Sequence, residues 1–145
     1  MNKIKLLLSA SLLFISLQSQ AQVRVGAGAG LISDGSVAAL QGRVEIGPSN
    51  FRMATSFNFL LEDGLDWAID VDGHYLVGEV NESIDIVAFP GINLLKIGVG
   101  NGSTEIGLNL GAGIRIRTSS NTIYIEPKYT INSYDSFVIT GGFLF

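Results

Sequence analysis

Asp70, Asp72 and His74 are the residues of this sequence most suited to chemistry. They alternate along an extended segment, and successive side chains of a strand point to opposite faces, so all three would project from one face. Two carboxylates and an imidazole could bind a metal ion or relay a proton. They could equally pair with arginines such as Arg43 and Arg52, because buried carboxylates and guanidinium groups neutralise one another. We expect this polar network, and therefore no catalytic residue, metal or cofactor.

The composition excludes several classes of protein. Of the 145 residues, 47% are hydrophobic and only 15% are charged, which is well below the roughly 25% charged residues of ordinary soluble domains. A net charge of −4 with no basic patch argues against nucleic-acid binding. The absence of cysteine excludes a disulfide scaffold and a lipid-anchored lipoprotein. The low charge is the first indication that water is not the main solvent of this chain.

The first residues have the pattern of an export signal. Lys3 and Lys5 precede an apolar run interrupted only by serines, and small residues up to Ala21 suit a cleavage site. This pattern is typical of a secretory signal peptide, because the apolar run is too short for a membrane-spanning helix. We predict a signal peptide over 1–21 and a single exported domain over 22–145.

Apolar and polar residues alternate with a period of two from Val23 onward, which predicts strands rather than helices. Glycine, asparagine, aspartate and serine separate the alternating segments, as turns require. We predict eight strands, over 23–32, 37–46, 51–61, 65–77, 84–92, 105–117, 123–130 and 137–145. The longest connection is 93–104, and its segment 94–99 is suited to extend the fifth strand. Pro90 and Pro127 fall inside strands, where we expect bulges because proline lacks an N–H donor.

Each predicted strand has one face without charge and one charged face. The residues that we assign to the charged face as an ion-pair network are Arg24, Arg43, Glu45, Arg52, Asp66, Asp70, Asp72, His74, Glu105, Arg115, Arg117, Glu126 and Lys128. Within it, we expect Arg115 and Arg117 to pair with Glu105 and Glu126.

Two architectures fit such strands. In a soluble lipocalin-like barrel the apolar face points inward, whereas in a transmembrane barrel it meets lipid and the charged face lines the lumen. The glycines of the charged face, such as Gly28 and Gly111, favour the second. They would weaken a solvated strand, but in a narrow eight-stranded lumen they make room for long side chains. We therefore predict an all-β, eight-stranded, antiparallel up-and-down transmembrane barrel, closed because an open sheet edge is not tolerated in lipid.

Aromatic residues of the uncharged face gather toward the two rims, as membrane-interface girdles do. One girdle is predicted from Phe57, Phe59, Trp67 and Tyr129, and the other from Phe51, Tyr75, Phe143 and Phe145.

The final strand, 137–145, ends in Gly142-Phe143-Leu144-Phe145. An amphipathic last strand with a terminal phenylalanine resembles the sorting signal of bacterial outer-membrane barrels, here carried by Phe143 and Phe145. The exported chain as a whole resembles the small OmpA/OmpX-type outer-membrane β-barrel domain family. The resemblance implies a Gram-negative outer membrane, contact with its lipids and lipopolysaccharide, insertion by the barrel-assembly machinery, and a lumen plugged by ion pairs.

We therefore expect a non-enzymatic barrel with a structural or interaction role at the cell envelope, without a named protein partner. Two alternatives remain open at this point. One is a soluble periplasmic binding barrel of lipocalin-like shape. The other is an outer-membrane enzyme that acts on lipid, but such an enzyme needs a histidine beside a nucleophile or acid near the outer leaflet. His74, the sole histidine, is predicted to point inward near the other rim, away from Ser56.

Overall fold

The computed structural model describes residues 22–32, 37–62, 65–98, 102–133 and 135–145, apart from the side chains of Leu65 and Asp66. It contains eight strands, β1 (Gln22–Ile32), β2 (Val37–Gly47), β3 (Phe51–Glu62), β4 (Leu65–Asn81), β5 (Ile84–Ile97), β6 (Ser103–Arg117), β7 (Thr122–Ile131) and β8 (Ser136–Leu144). The predicted signal peptide over 1–21 lies outside the described residues. Among the residues that are described, no helix is long and apolar enough to cross a membrane.

The strands form one closed antiparallel barrel in sequence order, with β8 paired to β1. The predicted eight-stranded up-and-down barrel is therefore confirmed. The pairing of β1 with β2 runs without interruption from Gln22 opposite Gly47 to Ile32 opposite Val37. Because a slip of one residue would turn every side chain to the other face, the two-faced pattern fixes this register.

The fourth and fifth strands are longer than predicted. β4 reaches Asn81 and β5 reaches Ile97, so most of the expected long connection is strand, and Ile97 pairs with Ser103. The alternation continues through this segment, with Asn93 buried between the exposed Ile92 and the half-buried Leu94. The longer β5 also brings Lys96 to the outward face beside Trp67, close to the rim.

The bulges expected at Pro90 and Pro127 are not found. Pro90 pairs with Leu110 in an unbroken β5–β6 ladder, and Pro127 pairs with Ile139 in an unbroken β7–β8 ladder. On the other side of each proline, the β4–β5 and β6–β7 ladders have a short gap in their pairing and then resume in the same register. Since a residue of an antiparallel strand directs its N–H to only one neighbouring strand, a missing donor leaves the second ladder intact. The register shifts lie elsewhere, at both ends of β4.

Burial alternates along the strands, and β2 alternates without exception. Its inward side chains include Gln41, Arg43 and Glu45, and its outward ones include Leu40 and Val44. The same inversion holds around the described barrel, where most large apolar side chains are exposed and the charged side chains away from the rims are buried.

The two rims of the barrel are distinct. The terminal end carries Gln22, Phe145 and the turns 48–50, 82–83 and 118–121, and the opposite end carries the other connections. Aromatic pairs of the outward face occur toward each rim.

Candidate functional site: the polar barrel interior

Six buried side chains form a cluster toward the terminal end of the interior. This arginine–glutamate cluster consists of Arg43, Glu45, Arg52, His74, Arg115 and Glu126. Alternation on β2, β3, β4, β6 and β7 turns all six side chains inward. Short residues between them, such as Ala54 opposite Glu45, leave the space that the long side chains occupy.

Glu45 is the best-partnered carboxylate of this cluster. Arg115 donates to both of its oxygens, from Nη1 over 2.8 Å and from Nη2 over 2.7 Å, although 70 residues separate them in sequence. Such bidentate pairs combine two charge-assisted hydrogen bonds with a fixed planar geometry. Nη1 of Arg43 lies 3.5 Å from Glu45, and Nη1 of Arg52 lies 3.8 Å away.

Glu126 bridges the cluster to the opposite wall. Arg43 Nη2 donates to Glu126 Oε2 over 2.5 Å, and the guanidinium of Arg43 also lies 4.3 Å above the ring of Tyr124. Arg115 Nη2 and His74 Nδ1 are each 3.5 Å from the other oxygen of Glu126. The two glutamates are thus held between three arginines, so each buried carboxylate has cationic partners, as a low-dielectric interior requires.

His74 is a packed member of this cluster. Its ring stacks on Phe89, with centroids 4.4 Å apart, and Nδ1 lies 2.9 Å from Arg115 Nη2. A guanidinium can only donate, so Nδ1 accepts, and the proton of the neutral imidazole resides on Nε2. Nε2 is buried and has no hydrogen-bond partner among the described residues.

A second set of interior side chains surrounds Asp70 near mid-barrel. Asp70 accepts from Lys128 over 2.5 Å, Asn58 over 2.8 Å, Asn93 over 2.7 Å and Asn109 over 2.9 Å. We call these five residues the Asp70 cluster. Two donors reach each oxygen of Asp70, so the carboxylate is saturated.

Uncharged polar residues extend this cluster. Tyr124 donates to Gln41 over 2.7 Å, and Gln41 donates to Asn58 over 2.9 Å. Asn109 donates to Asp72 over 2.8 Å and accepts from Thr130 over 2.8 Å. Chains of hydrogen bonds of this kind strengthen one another in a low-dielectric setting.

Asp70, Asp72 and His74 all point inward, but they separate between the two clusters. The aspartates bind amide donors and Lys128, whereas His74 contacts Arg115 and Phe89. Within the described part of the chain, no group of three His, Cys, Asp or Glu side chains is placed to hold a metal ion.

Three predicted members of the network lie near the rims. Arg117 donates to Asp85 over 2.8 Å and its side chain is 37% exposed, and Arg24 donates to Thr122 over 3.3 Å. Glu105 accepts from Ser133 over 2.9 Å near the opposite end. The side chain of Asp66 lies outside the described residues.

The expected pairing of Arg117 with Glu105 is wrong. The two residues lie toward opposite ends of β6, and Arg117 instead pairs with Asp85. Arg115 does approach Glu126, but its shorter contacts are with Glu45.

Neutral residues that were not predicted from the sequence complete the network. Gln41, Asn58, Asn93, Asn109 and Tyr124 all contribute hydrogen bonds to it. Apart from Asn93, each alternates in phase with a predicted charged residue on its own strand, and this shared phase could have identified them.

Interior glycines lie where a larger residue would collide with this network. A Cβ on Gly28 would contact the hydroxyl of Tyr124, and one on Gly91 would contact Asp72. Likewise, Gly111 faces the ring of Phe89. The room that these glycines provide is therefore filled by polar and aromatic side chains.

The predicted aromatic positions face outward. Phe57 stacks with Trp67 at 6.1 Å between centroids toward the opposite end, and Phe51 packs on Tyr75 at 4.7 Å near the terminal end. Further exposed aromatic side chains are Phe59, Tyr129, Phe143 and Phe145.

Three solved structures of bacterial proteins have folds similar to that of this chain. The chain is similar to the N-terminal β-barrel domain of Pseudomonas aeruginosa OprF, with a TM-score of 0.65 and 16% identity over 87% of this chain and 100% of that one. This chain therefore has the fold of a small eight-stranded outer-membrane barrel. Neisserial surface protein A matches with a TM-score of 0.53 and 18% identity, over 86% of this chain and 94% of that one. Ail, the attachment invasion locus protein of Yersinia pestis, matches with a TM-score of 0.50 and 14% identity over the same shares. No protein-family model matches this chain, and no curated protein does.

Proposed function

We propose that this protein is a non-enzymatic integral barrel of a Gram-negative outer membrane. Its polar interior is plugged, and its role at the cell envelope is structural or one of interaction. The observation that carries the proposal is the inverted distribution of side chains, with exposed leucine, isoleucine, valine and phenylalanine outside and ion pairs inside. Solvent water favours the reverse arrangement, whereas lipid favours this one.

The plug is supported by the size and connection of the interior side chains. Tyr124 and Phe89 are fully buried between the two clusters, and Arg43 reaches from β2 to Glu126 on β7. An eight-stranded barrel has an interior just wide enough for side chains to fill. We therefore expect no passage for sizeable solutes.

The partners that we propose follow from the outer surface and the last strand. The apolar wall would contact outer-membrane lipids, including lipopolysaccharide at the outer leaflet. Phe145 is exposed and donates its backbone N–H to Val25 over 2.7 Å, so the terminal residue belongs to the barrel wall. That position suits recognition of Phe143 and Phe145 by the barrel-assembly machinery during insertion.

A substitution on the outer wall tests the membrane location. Leu110 is 65% exposed in the middle of β6, and Val80 is 63% exposed near the terminal end of β4. Arginine at the bilayer midplane of a barrel costs about 2–4 kcal/mol, and at the interface about 0–1 kcal/mol. We expect Leu110→Arg to lower the unfolding free energy in lipid vesicles by the larger amount and Val80→Arg by the smaller.

Equal, small effects of the two substitutions would contradict the membrane location, because both sites would be solvated in a soluble barrel. Recovery of the unmodified protein in the soluble periplasmic fraction, without heat-modifiable migration in detergent gels, would have the same meaning. The lipocalin-like alternative predicts both results.

Recordings in planar bilayers test the plug. We expect no steady conductance from the inserted protein, and a steady large conductance would contradict a filled lumen.

The absence of enzyme activity is tested with His74→Ala, which should leave the lipid A of the host unchanged. A difference in lipid A that depends on His74 would overturn the non-enzymatic proposal.

A further inference from the structure

We infer that the barrel interior binds a small uncharged hydrophobic molecule at the end opposite the termini. A cavity of about 200 Å³ lies there, above the Asp70 cluster. Its apolar wall is formed by Ile32, Ala39, Leu60, Leu95, Ile97 and Val138. These residues come from β1, β2, β3, β5 and β8, so the site is built by the barrel and not by a single loop.

The wall is a packed apolar surface. Leu60 and Ala39 belong to a buried cluster with Val37, and Ile32 and Leu95 pack against it. Such side chains offer dispersion contacts and no hydrogen bonds. Polar residues also line the cavity, but Asn58, Asn93, Thr130 and Thr140 each already donate a hydrogen bond within the barrel. A buried water needs two to four polar partners, so this lining favours an apolar ligand over water.

The polar floor selects against charge. Lys128 is already paired with Asp70, which accepts from four donors. An anionic ligand would have to displace Asp70 from Lys128, and a cation would have to displace Lys128 from Asp70. Breaking a buried pair leaves an uncompensated charge at high cost, so the floor favours a neutral ligand.

The volume indicates a small ligand. An apolar cavity of about 150 Å³ in a protein core binds benzene. The 200 Å³ found here therefore suits a substituted benzene ring or a short hydrocarbon chain. This inference does not require a membrane location, since the cavity lies inside the barrel wall.

Ala39 and Ala38 provide a matched test. Ala39 is buried in the cavity wall, while its neighbour Ala38 points outward. The probe is toluene, titrated into methyl-labelled protein in nanodiscs of chain-deuterated lipid. Isotope-filtered NOEs from the toluene ring to the methyl groups of Leu60, Leu95 and Val138 report occupancy. We expect saturable binding to the unmodified protein and to Ala38→Leu, and an affinity at least about tenfold lower, equivalent to 1.4 kcal/mol, for Ala39→Leu.

Leu60→Ala serves as a second variant if Ala39→Leu does not fold. It enlarges the cavity, so naphthalene should bind this variant more tightly than the unmodified protein. NOEs that rise linearly and equally in the Ala39→Leu and Ala38→Leu proteins would overturn the inference, because they would report toluene dissolved in the bilayer. Water NOEs to the methyl groups of Leu60 and Leu95 in place of toluene NOEs would also overturn it. A protein that folds but does not enter nanodiscs would contradict the proposed function alone, and the titration would then be made in buffer.

Discussion

The two ends of the barrel interior differ in what holds them together. Toward the terminal end, Glu45 and Glu126 are fixed by guanidinium groups in defined directions. Toward the opposite end, Leu60 and Ala39 pack without direction around the cavity. A directional network loses its energy when one partner is removed, whereas an apolar wall loses energy in proportion to the contact area removed. One fold thus contains a rigid end and a more adaptable end.

The arginine–glutamate cluster gives the largest expected effect. Glu45→Ala leaves Arg115 without its bidentate partner in a buried site, and we expect a loss of about 3–5 kcal/mol in unfolding free energy. Urea titration in lipid vesicles, followed by the fluorescence of the single tryptophan, Trp67, measures it. The outward neighbour Val44→Ala should change the value by less than about 1 kcal/mol. A loss below that level for Glu45→Ala would remove the distinction between the two ends.

Leu60→Ala probes the apolar end. Truncation of a buried leucine costs about 2–5 kcal/mol, and we expect the lower part of this range because Leu60 already borders a cavity. The same urea titration measures it, and toluene at about tenfold above its Kd should restore about 1.4 kcal/mol by binding to the folded state. A loss larger than that of Glu45→Ala would reverse the comparison.

Two glycines test how tightly the polar interior is packed. A Cβ on Gly91 would press on Asp72 and on the carbonyl oxygen of Val71, whereas one on Gly42 would meet nothing within 4 Å. We expect Gly91→Ala to cost about 1–3 kcal/mol through overpacking. Gly42→Ala should be neutral, or stabilising by up to about 1 kcal/mol, because it restricts the unfolded chain. Similar thermal midpoints for both variants would indicate that the side chains around Asp72 can shift at little cost in free energy.

The pair at the terminal rim should give the smallest effect. Arg117 is partly exposed beside Asp85, so Arg117→Gln should cost less than about 1 kcal/mol. This loss should shrink further in high salt, because mobile ions screen exposed charges. A loss close to that of Glu45→Ala, independent of salt, would mean that the rigid end extends to the rim.

The sequence predicts the strands and their faces well, because the period of two is a local property. Val37–Gly47 alternates without exception, and each of its charged residues is buried as expected. The ends of β4 and β5 are predicted less well, since alternation alone does not reveal where pairing with a neighbour stops. Pro90 shows a further limit, because its effect depends on which neighbouring strand its missing N–H would have faced.

The partners within the interior are harder to predict than its members. Alternation assigns a side chain to the lumen but not to a height along the barrel axis. Arg117 and Glu105 share a face on β6, yet their separation along an extended strand is about 40 Å. Arg115 and Glu45 come from strands that are not neighbours, and only closure of the barrel sets them side by side. The cavity has the same origin, since Leu60 and Val138 share a wall only in the closed ring.

The contacts of Arg43 with Glu126 and of Arg115 with Glu45 join residues 83 and 70 positions apart. Both contacts cross the interior between strands that are not neighbours, so a sheet still open between β1 and β8 would leave these cations and carboxylates without their partners. Partly closed forms are therefore penalised electrostatically, and the ring is driven to complete itself as a unit. The same interactions stabilise the closed ring, since separating β1 from β8 would require both distant contacts to break.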